Sequence, residues 1–223
     1  MPDVAAFDFD GTLIRGGSVF EYLCAVAGRP AVLSASLALS SRLVHGALTS
    51  GIAADRAKEL LFERVLAGVS VERAEQLAAD FAHRHLARHL RPDVRTRLDW
   101  HRGRGDRVVI VSASPELYVR VAGAELGADE VIATRLARSG DGALTGRYQG
   151  ANCRGEEKLR RLRGWIESSE MDGARLWAYG NSRGDLIMLA AADVGVNVGR
   201  LGRLGRLRGF PGLGETGPDR ATR

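Results

Sequence analysis

The sequence predicts an α/β protein, a doubly wound parallel sheet with a helical segment inserted after its first strand. Short β-prone apolar runs alternate with helical patterns over most of the chain, and that alternation favours a parallel sheet with right-handed crossovers. Roughly residues 17–90 depart from the alternation, because they carry helix signals and no strand signal. With 223 residues, of which 45% are hydrophobic and 26% charged, the chain can bury a core, and its composition excludes wholesale disorder.

The first strand and the helical segment are delimited by turn and cap residues. Residues 4–9 form a short apolar, β-prone run that ends in acidic residues and Gly11, as a strand does when it enters a loop. Glycines end the next three predicted helices, and Ser70 with Glu72 provides the N-cap and the acidic first turn of a fourth. The four helices are predicted over residues 18–27, 31–45, 53–67 and 71–89.

Strands and helices alternate in the rest of the chain. Ser114 and Pro115 have the order of an N-cap and a first helical residue, so we interpret Ser114 as a helix cap. Residues 139–142, Ser-Gly-Asp-Gly, indicate a hairpin turn. In chain order we predict a helix over 92–103, a strand over 108–111, a helix over 115–126, a strand over 131–134, a hairpin of 135–138 with 143–148, a helix over 156–166, a strand over 176–179, a helix over 185–192 and a strand over 194–198.

Polar residues follow three of the predicted strands, at the point where each strand ends. Asp8 and Asp10 close the first strand, Ser112 follows the second, and Asn181 follows a later one. The carboxyl ends of parallel strands meet at one edge of a sheet, which is where such folds bind their ligands. The shared position of these side chains therefore predicts a functional site at that edge.

The segment Asp8-Phe9-Asp10-Gly11-Thr12 carries the most specific signal. Two carboxylates two residues apart at a strand end are costly to bring together unless a cation or a substrate requires them. Gly11 allows the backbone to turn sharply and to expose its amide groups. An ordinary Asp-Gly turn would explain a bare pair of aspartates, but it explains the whole segment at the end of a first strand less well.

Three further segments carry polar groups whose chemistry suits a phosphate or a metal ion. Ser112 leaves a strand just before a helix, where a hydroxyl and backbone N–H groups can hold a phosphate, although a role as a cap stays open. Lys158 lies in the first turn of a helix, against the macrodipole, so it has either another task or a solvated ammonium. Asn181 and Asp185 both offer oxygen ligands that suit Mg²⁺, whereas an N-cap role would explain one of them and not both.

In this order and spacing, the four segments resemble the haloacid dehalogenase (HAD) superfamily of phosphohydrolases. The helical segment directly after the first motif resembles the arrangement of its subfamily IB, to which phosphoserine phosphatases belong. The resemblance covers roughly residues 3–198. It implies a HAD-like core formed by residues 1–16 and 91–198 and a helical cap over residues 17–90, followed by a basic Gly/Arg/Leu tail over residues 199–223.

The resemblance also implies a role for each motif residue. Asp8 is implied as the nucleophile that forms an aspartyl-phosphate, and Asp10 as the acid that protonates the leaving alkoxide and then activates water. A carboxylate attacks a dianion poorly unless cations screen both groups, which is the task implied for Mg²⁺ and Lys158. In full, the implied catalytic residues are Asp8, Asp10 and Lys158, the implied phosphate-binding residues are Thr12, Ser112, Ala113 and Lys158, and the implied metal ligands are Asp8, Asp10 through its backbone carbonyl, Asn181 and Asp185.

Two positions depart from the family pattern. Many relatives have an Asp where Asn181 stands, so one negative charge near the metal is missing. Phosphoserine phosphatases resemble one another in a Glu that grips the substrate ammonium, and that place falls near Gly17, whereas Glu21 comes several residues too late. Because Arg15 adds a cation there, we expect phosphoserine to be a poorer substrate than a lipid-like or sugar phosphate.

Charge and cysteine content limit the partners that we expect. The net charge is +5, and the tail from residue 199 onward has six arginines against two acidic residues. A basic tail is not a basic domain, so we expect no nucleic-acid partner, while contact of the tail with an anionic lipid or membrane surface stays open. Two cysteines outside a C-x-x-C spacing, and no apolar run long enough for a membrane span or a signal peptide, predict a cytoplasmic protein.

Three histidines lie in the predicted helix over residues 71–89. His85 and His89 are four residues apart, which is the spacing of a metal-binding pair on a helix. No third ligand is near them in the sequence, and arginines interleave with them. We therefore interpret His83, His85 and His89 as a solvated or helix-capping cluster.

The function that these observations predict is Mg²⁺-dependent hydrolysis of a small-molecule or lipid-like phosphomonoester without an organic cofactor. Two alternatives stay open: a phosphoserine phosphatase, and a non-catalytic HAD-like protein that uses the fold for binding. The presence of every polar motif residue favours an enzyme.

Overall fold

The computed structural model describes residues 1–49, 51–199 and 209–217. Strands and helices alternate as the sequence predicts, so the predicted α/β class is confirmed. The described elements are β1 (Val4–Phe7), α1 (Val19–Ala27), α2 (Arg29–Ala38), α3 (Ser40–Thr49), α4 (Ile52–Leu66), α5 (Val71–His89), α6 (Pro92–Gly103), β2 (Arg107–Pro115), α7 (Glu116–Leu126), β3 (Glu130–Thr134), β4 (Leu136–Arg138), β5 (Leu144–Tyr148), α8 (Glu156–Ser168), β6 (Leu176–Gly180), α9 (Leu186–Ala191) and β7 (Val194–Asn197), with 3₁₀ turns at Arg183–Asp185 and Leu213–Glu215.

The main sheet is parallel, and β1 lies at its centre. In the described residues it has five strands in the order β3-β2-β1-β6-β7. Phe7, the last residue of β1, pairs with Ile110 of β2 and with Tyr179 of β6. Apolar side chains cover both faces of the sheet, with Phe7 and Tyr179 on one face and Val109 on the other. This register brings the loops after β1, β2 and β6 to the same edge, as predicted for the functional site.

Helices α1–α5, which we call the helical insert, have an apolar cluster of their own. Its buried members include Leu23 and Phe62, and Leu144 of the hairpin β4–β5 joins them. The hairpin packs closely on α4, because a Cβ atom on Gly146 would lie only 2.4 Å from the Cα atom of Glu63. Gly146 also has a φ of +75°, so both its backbone conformation and its surroundings require glycine.

The single helix predicted over residues 31–45 is two helices, α2 and α3. They meet at Leu39, whose φ of −106° and ψ of 9° leave the helical region. Val32, Ala35 and Leu39 are buried in the insert, and the chain must change direction after them for α3 to pack along α4. Burial in the insert therefore overrides the continuous helical pattern of the sequence.

Part of the tail folds back onto the core. Backbone N–H of Asn197 donates to the carbonyl of Pro211 at 2.9 Å. The buried guanidinium of Arg97 binds the carbonyls of Leu213 and Thr216 at 2.8 and 2.6 Å. The repeated Gly-Arg-Leu triplets lie almost entirely outside the described residues. Within the described residues, no helix is both long and apolar enough to span a membrane.

Candidate active site

The loop after β1 lies against the loop after β6. The backbone N–H of Asp8 donates to the backbone carbonyl of Tyr179 at 2.9 Å, which continues the pairing of β1 with β6 by one residue. Asp8 therefore lies at the end of the sheet, beside β6. Gly11 has a φ of +78°, and a Cβ atom there would lie 1.9 Å from Nδ2 of Asn181. Glycine is therefore required at this position for the two loops to touch.

Lys158 is enclosed by two carboxylates. It lies in the first turn of α8, is only 1% exposed, and donates from Nζ to Oδ1 of Asp8 at 2.6 Å and to Oδ1 of Asp185 at 2.5 Å. The alternative of a solvated lysine is therefore wrong. The opposite carboxylates explain why a cation is stable at a helix N-terminus, where the macrodipole alone would disfavour it.

The buried groups of Asp8, Lys158 and Asp185 shift one another's pKa values. Burial and the charge of Asp185 raise the pKa of Asp8 to about 7, although Lys158 opposes that shift. Burial would raise the pKa of Asp185 too, but Lys158 and Ser182 hold it below its usual value. Burial would lower the pKa of Lys158, yet Asp185 and Asp8 raise it. An ionised Asp8 therefore leaves one excess negative charge in this cluster.

Thr12 connects Asp8 to the loop after β6. The fully buried hydroxyl of Thr12 donates to Oδ2 of Asp8 at 3.1 Å, and it lies 3.4 Å from Oδ1 of Asn181. In that loop, Oδ2 of Asp185 accepts hydrogen bonds from the backbone N–H groups of Asn181 and Ser182 at 3.2 and 2.9 Å. Asp185 therefore holds the backbone of the loop that carries Asn181, a task that the sequence did not reveal.

Asp10 is held at the junction between the core and the helical insert. Its Oδ1 accepts a hydrogen bond from backbone N–H of Ser18 at 2.8 Å, and its Oδ2 accepts a short one from the hydroxyl of Ser114. Ser114 makes no cap hydrogen bond to α7, which begins at Glu116, so its interpretation as a helix cap is wrong. The pattern Ser-Pro is typical of a helix start, but β2 continues through Pro115 and directs the Ser114 hydroxyl at Asp10.

The end of β2 also brings Ser112, Ala113 and an unpredicted lysine together. Ser112 is buried, and its hydroxyl accepts a hydrogen bond from backbone N–H of Ser114 at 3.1 Å. The carbonyl of Ala113 accepts a hydrogen bond from Nζ of Lys58 at 2.6 Å. Lys58 belongs to α4 of the helical insert, and burial lowers its pKa to about 8 against the opposing charges of Asp10 and Asp55. No local motif marks Lys58, and only the packing of the insert identifies it.

The oxygen atoms of this site suit a hard divalent cation. The hydroxyl of Thr12 contacts a side-chain oxygen of Asp8 and one of Asn181. Lys158, which binds Asp8, also binds Oδ1 of Asp185, so a third oxygen belongs to the same cluster. Mg²⁺ prefers carboxylate and amide oxygens, and burial together with the charge of Asp185 raises the pKa of Asp8, an effect that a bound cation would oppose. The residues present therefore fit Mg²⁺.

A cavity of about 950 Å³ opens beside the loop after β1. Its lining includes Asp10, Gly11 and Asn181 of the loops after β1 and β6, and the charged residues Arg15, Arg91 and Asp93. A Cβ atom on Gly17 would meet no atom of the described residues within 4 Å, so a side chain at this position would have room. The cavity is large enough for a small organic phosphate.

Comparison with known proteins shows which proteins and folds the chain resembles. The chain is 38% identical over 192 residues to protein CicA of Caulobacter vibrioides, which covers 86% of this chain and 84% of that protein. It is 25% identical to a histidinol-phosphatase of Neisseria meningitidis, covering 88% of this chain and 91% of that one. A solved complex of a substrate-bound phosphoserine phosphatase has the same fold, with a TM-score of 0.63 and 19% identity over 88% of this chain and 86% of the other. The family model for haloacid dehalogenase-like hydrolases matches residues 5–190, and the chain belongs to that family.

Proposed function

We propose that the protein is a Mg²⁺-dependent phosphomonoester hydrolase that acts through an aspartyl-phosphate on Asp8. The observation that carries the proposal is the buried bridge in which Lys158 joins Asp8 to Asp185 while Thr12 holds the second oxygen of Asp8. A carboxylate held between a cation and a hydroxyl, two residues before Asp10, which lines a cavity, is arranged to attack a phosphate rather than to stabilise the core. The family and its relatives named as phosphatases support the same reaction.

In the first step, a carboxylate oxygen of Asp8 attacks phosphorus, and the bond between phosphorus and the leaving oxygen breaks. The ammonium of Lys158 offsets negative charge on the attacking carboxylate and on the phosphoryl oxygens. The hydroxyls of Thr12 and Ser112 and the backbone of Ala113 would hold those oxygens. When bound, Mg²⁺ would add electrostatic stabilisation of the phosphoryl charge, held by Asp8, the carbonyl of Asp10, Asn181 and Asp185.

Asp10 would handle the proton in both steps. In its acid form it gives its proton to the leaving alkoxide, which departs as an alcohol. As a carboxylate it then takes a proton from water, whose oxygen attacks phosphorus and releases Asp8 and inorganic phosphate. The hydrogen bonds from Ser18 and Ser114 hold both oxygens of Asp10 and so limit its rotation. Because Ser18 precedes α1, the same contacts tie this group to the helical insert.

Lys58, from helix α4 of the insert, would provide the proposed active site with a second positive charge besides Lys158. Because burial lowers the pKa of Lys58 to about 8, its ammonium is charged at neutral pH and becomes neutral above that value. We expect kcat/KM to fall above pH 8 for this reason, since kcat/KM reports ionisations of the free enzyme. Lys58→Met should lower kcat/KM at pH 7 by roughly 10- to 100-fold, the size of one charge-assisted hydrogen bond.

The shape of the pH profile separates this role from a structural one. Lys58→Met should lose the alkaline decline, and Lys58→Arg should move it to higher pH because guanidinium stays charged. Measuring kcat/KM from pH 6 to pH 10 for the three proteins checks the prediction. An unchanged alkaline decline in Lys58→Met would contradict it.

Substitutions at Asn181 and Asp185 should change the affinity for Mg²⁺ in opposite directions. We expect Asn181→Asp to keep or tighten Mg²⁺ binding, because it adds a carboxylate oxygen at a ligand position. Asp185→Ala should weaken it strongly, because it removes both a charge and the hydrogen bonds that hold the loop of Asn181. Titration calorimetry with Mg²⁺ measures both effects, and an unchanged affinity in Asp185→Ala would overturn the assignment.

For the substrate, we propose a phosphomonoester with an apolar or anionic body. Gly17 provides no carboxylate for an ammonium, and of the two aspartates that line the cavity, Asp93 is paired with Arg91 and Asp10 is assigned to proton transfer. Arg15, which also lines the cavity, favours an anionic body instead. Exposed apolar side chains on the insert, among them Leu37, Leu48 and Ile52, suit a lipid-like one. Phosphoserine and histidinol phosphate, the substrates that the names of related proteins suggest, are the alternatives.

Phosphate release tests the proposed function. An aryl phosphate should be hydrolysed with Mg²⁺ and not in the presence of a chelator, whereas a non-catalytic binding protein would release no phosphate in either case. A panel of serine, histidinol, sugar and lipid phosphates then ranks substrates by kcat/KM. Gly17→Glu, whose side chain has room, should raise the rank of phosphoserine if the ammonium site is what the wild type lacks.

A further inference from the structure

The first and last helices of the insert bring three metal-ligating side chains together outside the proposed active site. Glu21 lies in the first turn of α1, and His85 and His89 lie one turn apart near the end of α5. Oε2 of Glu21 is 3.0 Å from Nδ1 of His85 and 4.0 Å from Nε2 of His89. One ligand atom from each residue can be chosen so that all three lie within 4.8 Å of one another. Glu21 is therefore the third side chain of this cluster, and the sequence did not reveal it.

The environment of His85 is unusual for a structural histidine. The side chain is 4% exposed, and the ring of Phe81 stacks on it with centroids 4.8 Å apart. Its second ring nitrogen, Nε2, is buried and has no hydrogen-bond partner in the described part of the chain. A solvated or helix-capping role does not describe this residue, and the earlier interpretation of the cluster is wrong for it. Nδ1, the nitrogen that faces Glu21, is the ligand atom that His85 offers to the cluster.

We propose that Glu21, His85 and His89 bind a transition-metal ion of the Zn²⁺ class, separate from the Mg²⁺ site. Two imidazoles and one carboxylate are a ligand set that suits Zn²⁺ or Co²⁺ and disfavours Mg²⁺. Bonds of about 2.0–2.2 Å to a tetrahedral ion place ligand atoms roughly 3.3 Å apart, and the two distances from Glu21 bracket that value. The fourth position would be filled by water.

Access and electrostatics agree with a bound cation. Glu21 is 53% exposed and His89 is 33% exposed, so an ion can enter from solvent, while Phe81 closes the inner side. The carboxylate of Asp10 adds negative charge close enough to act on His85.

A bound ion at this position would connect the two ends of the insert. The backbone N–H of Arg15 donates to the backbone carbonyl of His89 at 2.8 Å, and the backbone N–H of Arg91 donates to the backbone carbonyl of Leu13 at 2.9 Å. The segments that lead into and out of the insert are therefore hydrogen-bonded to each other at one junction. Glu21 and His89 lie just inside this junction. An ion bound there cross-links α1 to α5 and limits movement of the insert relative to the loop that holds Asp10. We therefore expect it to raise the stability of the insert.

Metal titration of the full-length chain with saturating Mg²⁺ tests the proposal. We expect one Zn²⁺ per chain by calorimetry, a visible absorption band with Co²⁺, and a rise in Tm with Zn²⁺. Glu21→Gln, at an exposed position, and His89→Ala, at a half-buried one, should each weaken binding at least tenfold and remove the rise in Tm. His83→Ala is the matched control, because His83 lies on the same helix and contacts Glu125 instead.

The Asp185→Asn variant separates this site from the proposed active site. Zn²⁺ and Co²⁺ binding should persist in it, because Asp185 is not part of the cluster. The proposal is overturned if the wild type binds neither ion in the presence of Mg²⁺, if Glu21→Gln and His89→Ala bind them as tightly as the wild type, or if Asp185→Asn abolishes the binding. None of these results depends on the phosphatase activity.

Discussion

Asp8→Asn is expected to lower phosphate release by about 10⁴-fold or more, the size of effect that follows removal of a covalent nucleophile. The amide cannot form the acyl-phosphate, and Asp185 already holds the loop after β6 through hydrogen bonds from Asn181 and Ser182. Initial rates with an aryl phosphate and Mg²⁺ measure the change. Activity at even a tenth of the wild-type rate would contradict the role of Asp8 as nucleophile.

A stability measurement on the same variant excludes unfolding as the cause. Because the pKa of Asp8 is raised from 3.8 to about 7, ionisation of Asp8 in the metal-free protein lowers stability as the pH rises through that value. Asp8→Asn removes this charge, so its Tm should exceed the wild-type Tm at pH 8 in the presence of a chelator, and the difference should shrink at pH 5. Asp172→Asn, at an exposed position, is the control for the loss of one carboxylate.

Lys158→Met is expected to cause the largest loss of stability. It leaves Asp8 and Asp185 buried close to each other without the cation that joins them. Removing one partner from a buried ion pair costs about 3–5 kcal/mol, and we expect a loss of this size in the free energy of unfolding at pH 8 without metal. At pH 5 the loss should be smaller, because Asp8 can take up a proton and Asp185 is then the single remaining charge. Urea unfolding at the two pH values measures this difference.

Two further variants make the interpretation of Lys158 specific. Asp8→Asn combined with Lys158→Met should recover part of the lost stability at pH 8, because the double variant keeps one buried carboxylate instead of two. Arg163→Met removes an exposed positive charge from the same helix and should have little effect. A loss of stability in Lys158→Met that is the same at pH 5 and pH 8 would show that packing, and not charge, explains it.

The elements of the core could be predicted because their signals are local. The strands of the sheet are continuous apolar runs, and helix ends carry glycine, proline or a cap such as Ser70, whose hydroxyl accepts the N–H of Arg73. Parallel pairing then brings Asp8, Ser112 and Asn181 to one edge without further information. The helix break at Leu39 was missed because residues 31–45 lack a glycine or proline there, and the break follows from packing against α4.

By itself, the sequence determined the fold class, the order of the strands and helices, and which polar residues lie at the sheet edge, because these depend on the chemistry of short segments. Only the tertiary structure decided what those residues contact. Ser114 binds Asp10 instead of capping α7, Lys58 reaches the end of β2 from the insert, and Glu21 meets His85 and His89 across two helices. Each of these contacts joins residues more than fifty positions apart, so its existence depends on how whole helices pack on the sheet and on one another, which no local pattern records.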